Sequence, residues 1–305
     1  MSHRYRILAL TAAATALIPL AACGEADAKA DAAGTTGLTV VATTPEVADF
    51  ARAVGGDHIT LTQLIKVGVD PHEYEPTPAD IKAISDAELV VENGVGLEEW
   101  LAPTISSAGF RGPVVDSSRG VALRPDDPHI WHNPQNARLM VGNIEKGLAA
   151  ADPAHAADYA KNSAAYTAEI DELDRENQAA FDALPAADRK LVTDHDAFGY
   201  YVDRYRLQFV GSVIPSMDTS AELSAQQLTD LVAKIEATGV KAIFTESSLP
   251  PKTAEAIAEQ AGVRVIGGED ALFGDSLGAP GTPEGSYLGA ERHNTQVITA
   301  ALAGR

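Results

Sequence analysis

The chain has 305 residues, 45% of them hydrophobic, enough for two ordinary domains that each bury a core and too much for one small module. Its formal net charge of −20 repels nucleic acid and attracts cations, so no nucleic-acid partner is expected. It has one cysteine, which excludes a disulfide within the chain.

The first residues read as an export signal. Arg4 and Arg6 give a basic start, Ile7 to Leu20 is apolar, and the small residues Ala21 and Ala22 precede Cys23. Leu20-Ala21-Ala22-Cys23 resembles a bacterial lipobox, which implies cleavage of residues 1–22 and a lipid on the Cys23 thiol. The charge of −20 then becomes −22 as Arg4 and Arg6 leave with the signal. The alternative is a short membrane anchor, for which an apolar run of about 14 residues falls short of the roughly 20 that a spanning helix needs. Residues 23–37 are rich in Ala, Asp, Gly and Thr without periodicity and suit a flexible tether, reaching on the order of 50 Å when stretched. From Gly37 onward no apolar run is long enough to cross a bilayer, so the lipid is the expected membrane contact.

Beyond the tether a β-α-β rhythm begins. Leu38 to Ala42 predicts a strand, Pro45 to Val54 a helix and Ile59 to Ile65 a second strand. A helix from Pro78 to Ser85, a strand at Glu88 to Glu92, a helix near Leu97 to Ser107 and a strand around Pro113 to Asp116 follow. Between Asn133 and Leu184 apolar residues recur at helical spacing with an interruption at Asp152-Pro153, which predicts two helices, the longer second one crossing between lobes. The second half repeats the rhythm with strands at Lys190 to Thr193, Gln208 to Val213, Val240 to Thr245 and Val263 to Ile266, and helices at Phe198 to Tyr205 and Ser224 to Thr238. The expected class is α/β: an N-terminal lobe over residues 38–134, a helical linker over 135–187 and a C-terminal lobe over 188–305, each lobe a parallel sheet with flanking helices.

Open α/β sheets bind ligands where loops leave the carboxyl ends of strands. Three histidines occupy such loops: His72 in Asp70-Pro71-His72-Glu73-Tyr74, His129 in Asp127-Pro128-His129-Ile130-Trp131, and His195 in Asp194-His195-Asp196. Asp275, in Phe273-Gly274-Asp275-Ser276, follows the last strand. If they converge, three imidazoles and one carboxylate make a closed four-donor site suited to zinc, with no position left for a catalytic water. Spacing alone does not establish convergence, because no compact ligand motif is present. Carboxylates that would orient the imidazoles from behind are sought among Glu73, Asp196 and Glu246. His132 is a candidate auxiliary ligand, and His58, His155 and His293 are expected to face solvent. Trp131 and Tyr74 either wall the cleft or belong to the core.

Read together, the lipobox and the segments DPHEYEPTPAD, DPHIWHNPQN, TDHDAFGYY, IFTESSLPPK and LFGDSLG resemble the zinc and manganese solute-binding proteins of ABC importers, the ZnuA-like and TroA-like family. The resemblance implies two lobes bridged by one long rigid helix, with the metal in the cleft between them. It also implies ligands at His72, His129, His195 and Asp275, and an integral-membrane ABC permease as partner. In that family the third position is typically histidine in zinc binders and glutamate in manganese binders; His195 therefore points to Zn2+ before Mn2+, in keeping with the preference of imidazole for the softer ion. The long His- and Asp-rich loop of some zinc-specific relatives is absent, and Asp126, Asp127 and His132 are its only local substitutes.

The leading expectation is thus a monomeric, lipid-anchored receptor that captures a metal ion and is not an enzyme. The sequence names neither the transporter nor any upstream metallochaperone. Two other classes stay open: an exported zinc hydrolase using Glu73 or Glu246 as general base, and an adhesin that keeps the fold and binds through its surface. A continuous interlobe helix also predicts that metal loading rearranges loops around His129 and Asp275 rather than closing a large hinge.

Overall fold

The computed structural model describes residues 37–304 except Glu222. The expected signal, Cys23 and all but the last residue of the tether lie outside the described residues.

Four parallel strands form the N-terminal sheet: β1 (Leu38–Ala42), β2 (Ile59–Gln63), β3 (Leu89–Glu92) and β4 (Val114–Asp116), in the order β2-β1-β3-β4. Val40, Val41, Leu89, Val90 and Val91 are fully buried on both faces, as a parallel sheet covered by helices requires. Its helices start where the chain supplies a cap and a proline. Thr44 caps α1 (Pro45–Gly55), and Thr77 with Asp80 forms a capping box on α2 (Pro78–Asp86). The next helix, α3 (Leu101–Ala108), starts four residues later than Leu97. The preceding turn is held by the buried Glu98 carboxylate, which accepts the Asn93 and Gly94 N–H groups and the Thr43 hydroxyl.

Asn133 caps α4 (Pro134–Ala151), and Asp152-Pro153 separates it from α5 (Ala156–Asp182). At 27 residues, α5 is about 40 Å long. Tyr159, Ile170 and Leu173 enter the N-terminal core while Phe181 enters the C-terminal one, so a single helix is packed into both lobes.

In the C-terminal lobe β5 (Lys190–Thr193) pairs with β6 (Gln208–Ser212), and β7 (Ala242–Phe244) pairs with β8 (Arg264–Ile266), all parallel. Between them run α6 (Gly199–Tyr205), α7 (Ala225–Thr238) and α8 (Lys252–Ala261), and α9 (Tyr287–Leu302) closes the fold. Apolar periodicity predicts neither α8 nor α9. The buried face of α9 includes Glu291, Asn294 and Thr295, whose partners are His132, the Phe273 backbone and Tyr201. A polar core face of this kind erases the 3.6-residue apolar signal.

Among the described residues no helix is long and apolar enough to cross a membrane.

Candidate metal centre

Four loops leave the carboxyl ends of β2, β4, β5 and β8 toward one cleft and carry His72, His129, His195 and Asp275 respectively. One nitrogen or oxygen from each of these four lies within 4.8 Å of all the others. His72 Nε2 is 3.1 Å from His129 Nε2, which is 3.3 Å from His195 Nε2. Asp275 closes the figure, with Oδ2 3.4 Å from His72 Nε2 and 3.1 Å from His195 Nε2, and Oδ1 3.2 Å from His129 Nε2. Donors bonded at about 2.0–2.1 Å to one tetrahedral ion lie roughly 3.3 Å apart, and these separations are of that length. The Asp275 oxygens are buried and face the three imidazole Nε2 atoms, so this carboxylate requires a positive partner, either imidazolium or a metal ion.

Two buried carboxylates hold two of the rings by the same device. Asp127 Oδ1 accepts both the backbone N–H of His129, at 3.1 Å, and its Nδ1–H, at 3.0 Å. Glu246 Oε1 accepts the backbone N–H of His195, at 3.0 Å, and its Nδ1–H, at 2.9 Å. Each pairing fixes the tautomer that leaves Nε2 free to face the cluster. The second oxygens are enclosed by glycines: a Cβ on Gly274 would overlap Glu246 Oε2, and one on Gly199 would crowd Asp127 Oδ2. Arg124 Nε holds that Asp127 oxygen at 3.2 Å. Trp131 sets its ring edge-on to His129, with Nε1 donating to the Gly274 carbonyl at 3.2 Å.

Electrostatically the cluster is a trap for positive charge. Burial by itself lowers the His129 imidazole, but Asp275 and Asp127 more than offset it and raise it to about 9. His195 is likewise held well above its ordinary value, Glu246 and Asp275 overcoming burial. Burial acts to raise the Asp275 carboxyl, yet His195 and His129 carry it well below the usual range. Beside the cluster, Glu46 in the first turn of α1 is 1% exposed with neither oxygen in a well-formed hydrogen bond, and burial, reinforced by Asp275 and Glu291, pushes it up to about 8.

Of the carboxylates read from the sequence, Glu246 meets a ring. Glu73 is exposed and contacts no imidazole among the described residues, because the turn that aims His72 inward sends its neighbour outward. The Asp196 side chain makes no hydrogen bond to a ring; its backbone N–H goes to the Ser216 carbonyl. Asp127 takes the role expected of them, and its signal was the repeated Asp-Pro-His, since Asp70 in the first copy likewise accepts the His72 N–H. His132 is outside the cluster, bonded through Nδ1 to Glu291 at 2.7 Å and stacked on Phe198. His58 and His155 stack on one another beside Asp158 and Asp152, and His293 Nε2–H donates to the Ala271 carbonyl at 3.0 Å; none is freely solvated. Tyr74 bonds Asp80 and packs on Trp100 at the cleft rim.

This fold is shared with the periplasmic zinc binding protein TroA from Treponema pallidum, at TM-score 0.81 and 32% identity over 87% of this chain and 99% of that one. Among sequences, the manganese ABC transporter substrate-binding lipoprotein PsaA of Streptococcus mitis is 32% identical, with 94% of this chain and 96% of the relative covered. The iron ABC transporter substrate-binding lipoprotein MtsA of Streptococcus pyogenes serotype M1 is 30% identical, with 94% of each covered. The model of the family described as zinc-uptake complex component A, periplasmic, matches residues 40–301. The chain belongs to that family of substrate-binding transport proteins, which are not enzymes.

Proposed function

We propose that His72, His129, His195 and Asp275 together hold one transition-metal ion, zinc in preference to manganese, and that the protein hands it to the permease of an ABC importer. The observation that carries this reading is the convergence of three Nε2 atoms and one carboxylate within 4.8 Å. A closed set of three nitrogens and one oxygen suits zinc and leaves no open position for a reacting water. Manganese is the second reading, supported by the relatives named for manganese and iron. The donor set favours zinc, because a harder ion gains from a second carboxylate where this site has His195.

The same proposal includes a signal over residues 1–22, a lipid on Cys23 and a tether through residue 37 that holds a monomeric body outside the cytoplasmic membrane. The lipoprotein relatives support it. Mass analysis of the mature N-terminus should find a diacylated Cys23, and an unprocessed Met1 would overturn the anchor.

Isothermal titration of the metal-stripped protein should give one divalent ion per chain with a dissociation constant below micromolar. Weaker binding would defeat the receptor reading. Elemental analysis of protein purified without added metal decides between zinc and manganese.

A further inference from the structure

His72 differs from the other two histidines. His129 and His195 are each clamped by a buried carboxylate on Nδ1; among the described residues no such partner meets the His72 ring. It is also the one member of the cluster that lines the ≈ 630 Å³ cavity opening to solvent, alongside Tyr74, Trp100, Met217 and Asp218. His129, His195 and Asp275 are at most 1% exposed. An ion leaving the cluster by that cavity must pass His72.

What holds His72 comes from the other lobe. Asp70 Oδ1 accepts the His72 backbone N–H at 2.9 Å, and Asp70 Oδ2 accepts the hydroxyl of Thr219, from the loop after β6, at 2.6 Å. Two residues earlier, the Gly68 N–H donates across the cleft to Ser276 Oγ at 2.7 Å, beside Asp275. One carboxylate therefore ties the backbone of the least anchored histidine to the opposite lobe, and the charged acceptor makes both bonds stronger than neutral ones.

We propose that Asp70 and Thr219 form an interlobe latch that positions His72 and sets how fast a bound ion escapes through the cavity. The inference rests on the reading of His72 as a ligand. It moves the rearranging loop from the surroundings of His129 and Asp275, which the cores enclose, to residues 66–76. Breaking the latch frees the loop and lets His72 swing from the ion while the two clamped histidines and Asp275 stay in place. Release is then the step the latch slows. Capture is little affected, because the ion reaches a preformed three-donor base before His72 closes.

The test is stopped-flow release of Zn2+ from the loaded full chain into excess fluorescent chelator. Thr219→Val should accelerate release about tenfold, the scale of one charge-assisted hydrogen bond partly open to water, with the association rate changed less than about twofold. Thr219→Ser should restore the wild-type rate. In a His72→Ala background, Thr219→Val should add nothing, since the latch acts only through His72; an additive effect there would overturn the positioning role. Wild-type release from Thr219→Val, with fast release from His72→Ala, would sink the latch and leave the ligand assignment standing. Unchanged release from His72→Ala would remove the ligand assignment and the latch with it. Melting of each metal-free variant separates these outcomes from misfolding.

Discussion

Glu46 carries the cost of building an anionic cation trap. Its carboxyl ordinarily titrates at 4.5 and in the folded chain at about 8, chiefly through burial. Between those values the native chain keeps a proton that the unfolded chain has released. The native state then binds more protons, so stability falls as pH rises through the window and is unaffected by Glu46 below its lower end. At 1.36 kcal/mol per unit, the penalty is roughly 3 kcal/mol at pH 7 and about 5 kcal/mol above pH 8. Glu46→Gln keeps the shape and removes the titration. In urea unfolding of metal-free protein, its advantage over wild type should be near zero at pH 4.5 and grow to roughly 3 kcal/mol at pH 7, a melting shift of roughly 5–10 °C for a body of this size. Glu98 and Asp194, each raised to about 7 mainly by burial, titrate in both proteins and cancel in the difference. A difference that stays constant across this range would refute the assignment of the cost to Glu46.

Removing an orienting carboxylate, as Asp127→Asn or Glu246→Gln, should weaken zinc binding about 10- to 100-fold in chelator competition, whereas Glu73→Gln should leave it unchanged; equal effects from all three would make the contacts irrelevant. Because the His129 imidazole is raised to about 9, with Asp275 and Asp127 overcoming burial, and His195 is shifted in the same direction, the pair holds a proton at neutral pH that a metal must displace, so affinity falls as pH drops below about 9. Titration calorimetry in two buffers of different ionisation heat should count at least one proton released per ion at pH 7, and a count of zero contradicts the trap. His195→Glu adds a hard oxygen donor and should raise the manganese-to-zinc ratio of the purified protein by elemental analysis.

The strands and the four clustered side chains were legible for related reasons. Buried parallel strands write themselves as continuous runs such as Val40-Val41-Ala42 and Leu89-Val90-Val91, and loops at their carboxyl ends are where side chains of separate segments meet. Long separations along the chain therefore did not hide His72, His129, His195 and Asp275. What stayed hidden depends on pairing across the fold. A polar helix face such as that of α9 looks exposed until His132 and Tyr201 are placed against it. Which carboxylate turns toward a ring depends on local chain direction, so Glu73, adjacent to His72, points away while Glu246, 51 residues from His195, meets it.

That asymmetry suits a site that must both hold and release an ion, as the proposed function requires. Four fully clamped donors would give high affinity and slow release, since escape would require breaking buried carboxylate pairs on every ring. Here two rings are fixed by Asp127 and Glu246, Asp275 is sealed in the core, and one ring sits on a loop at the cavity mouth. With α5 packed into both cores, opening a single loop takes less rearrangement than parting the lobes. Under the proposed function the clamped donors form the fixed base of the site, and the hydrogen bonds of the His72 loop, by slowing release, contribute to affinity through the dissociation rate.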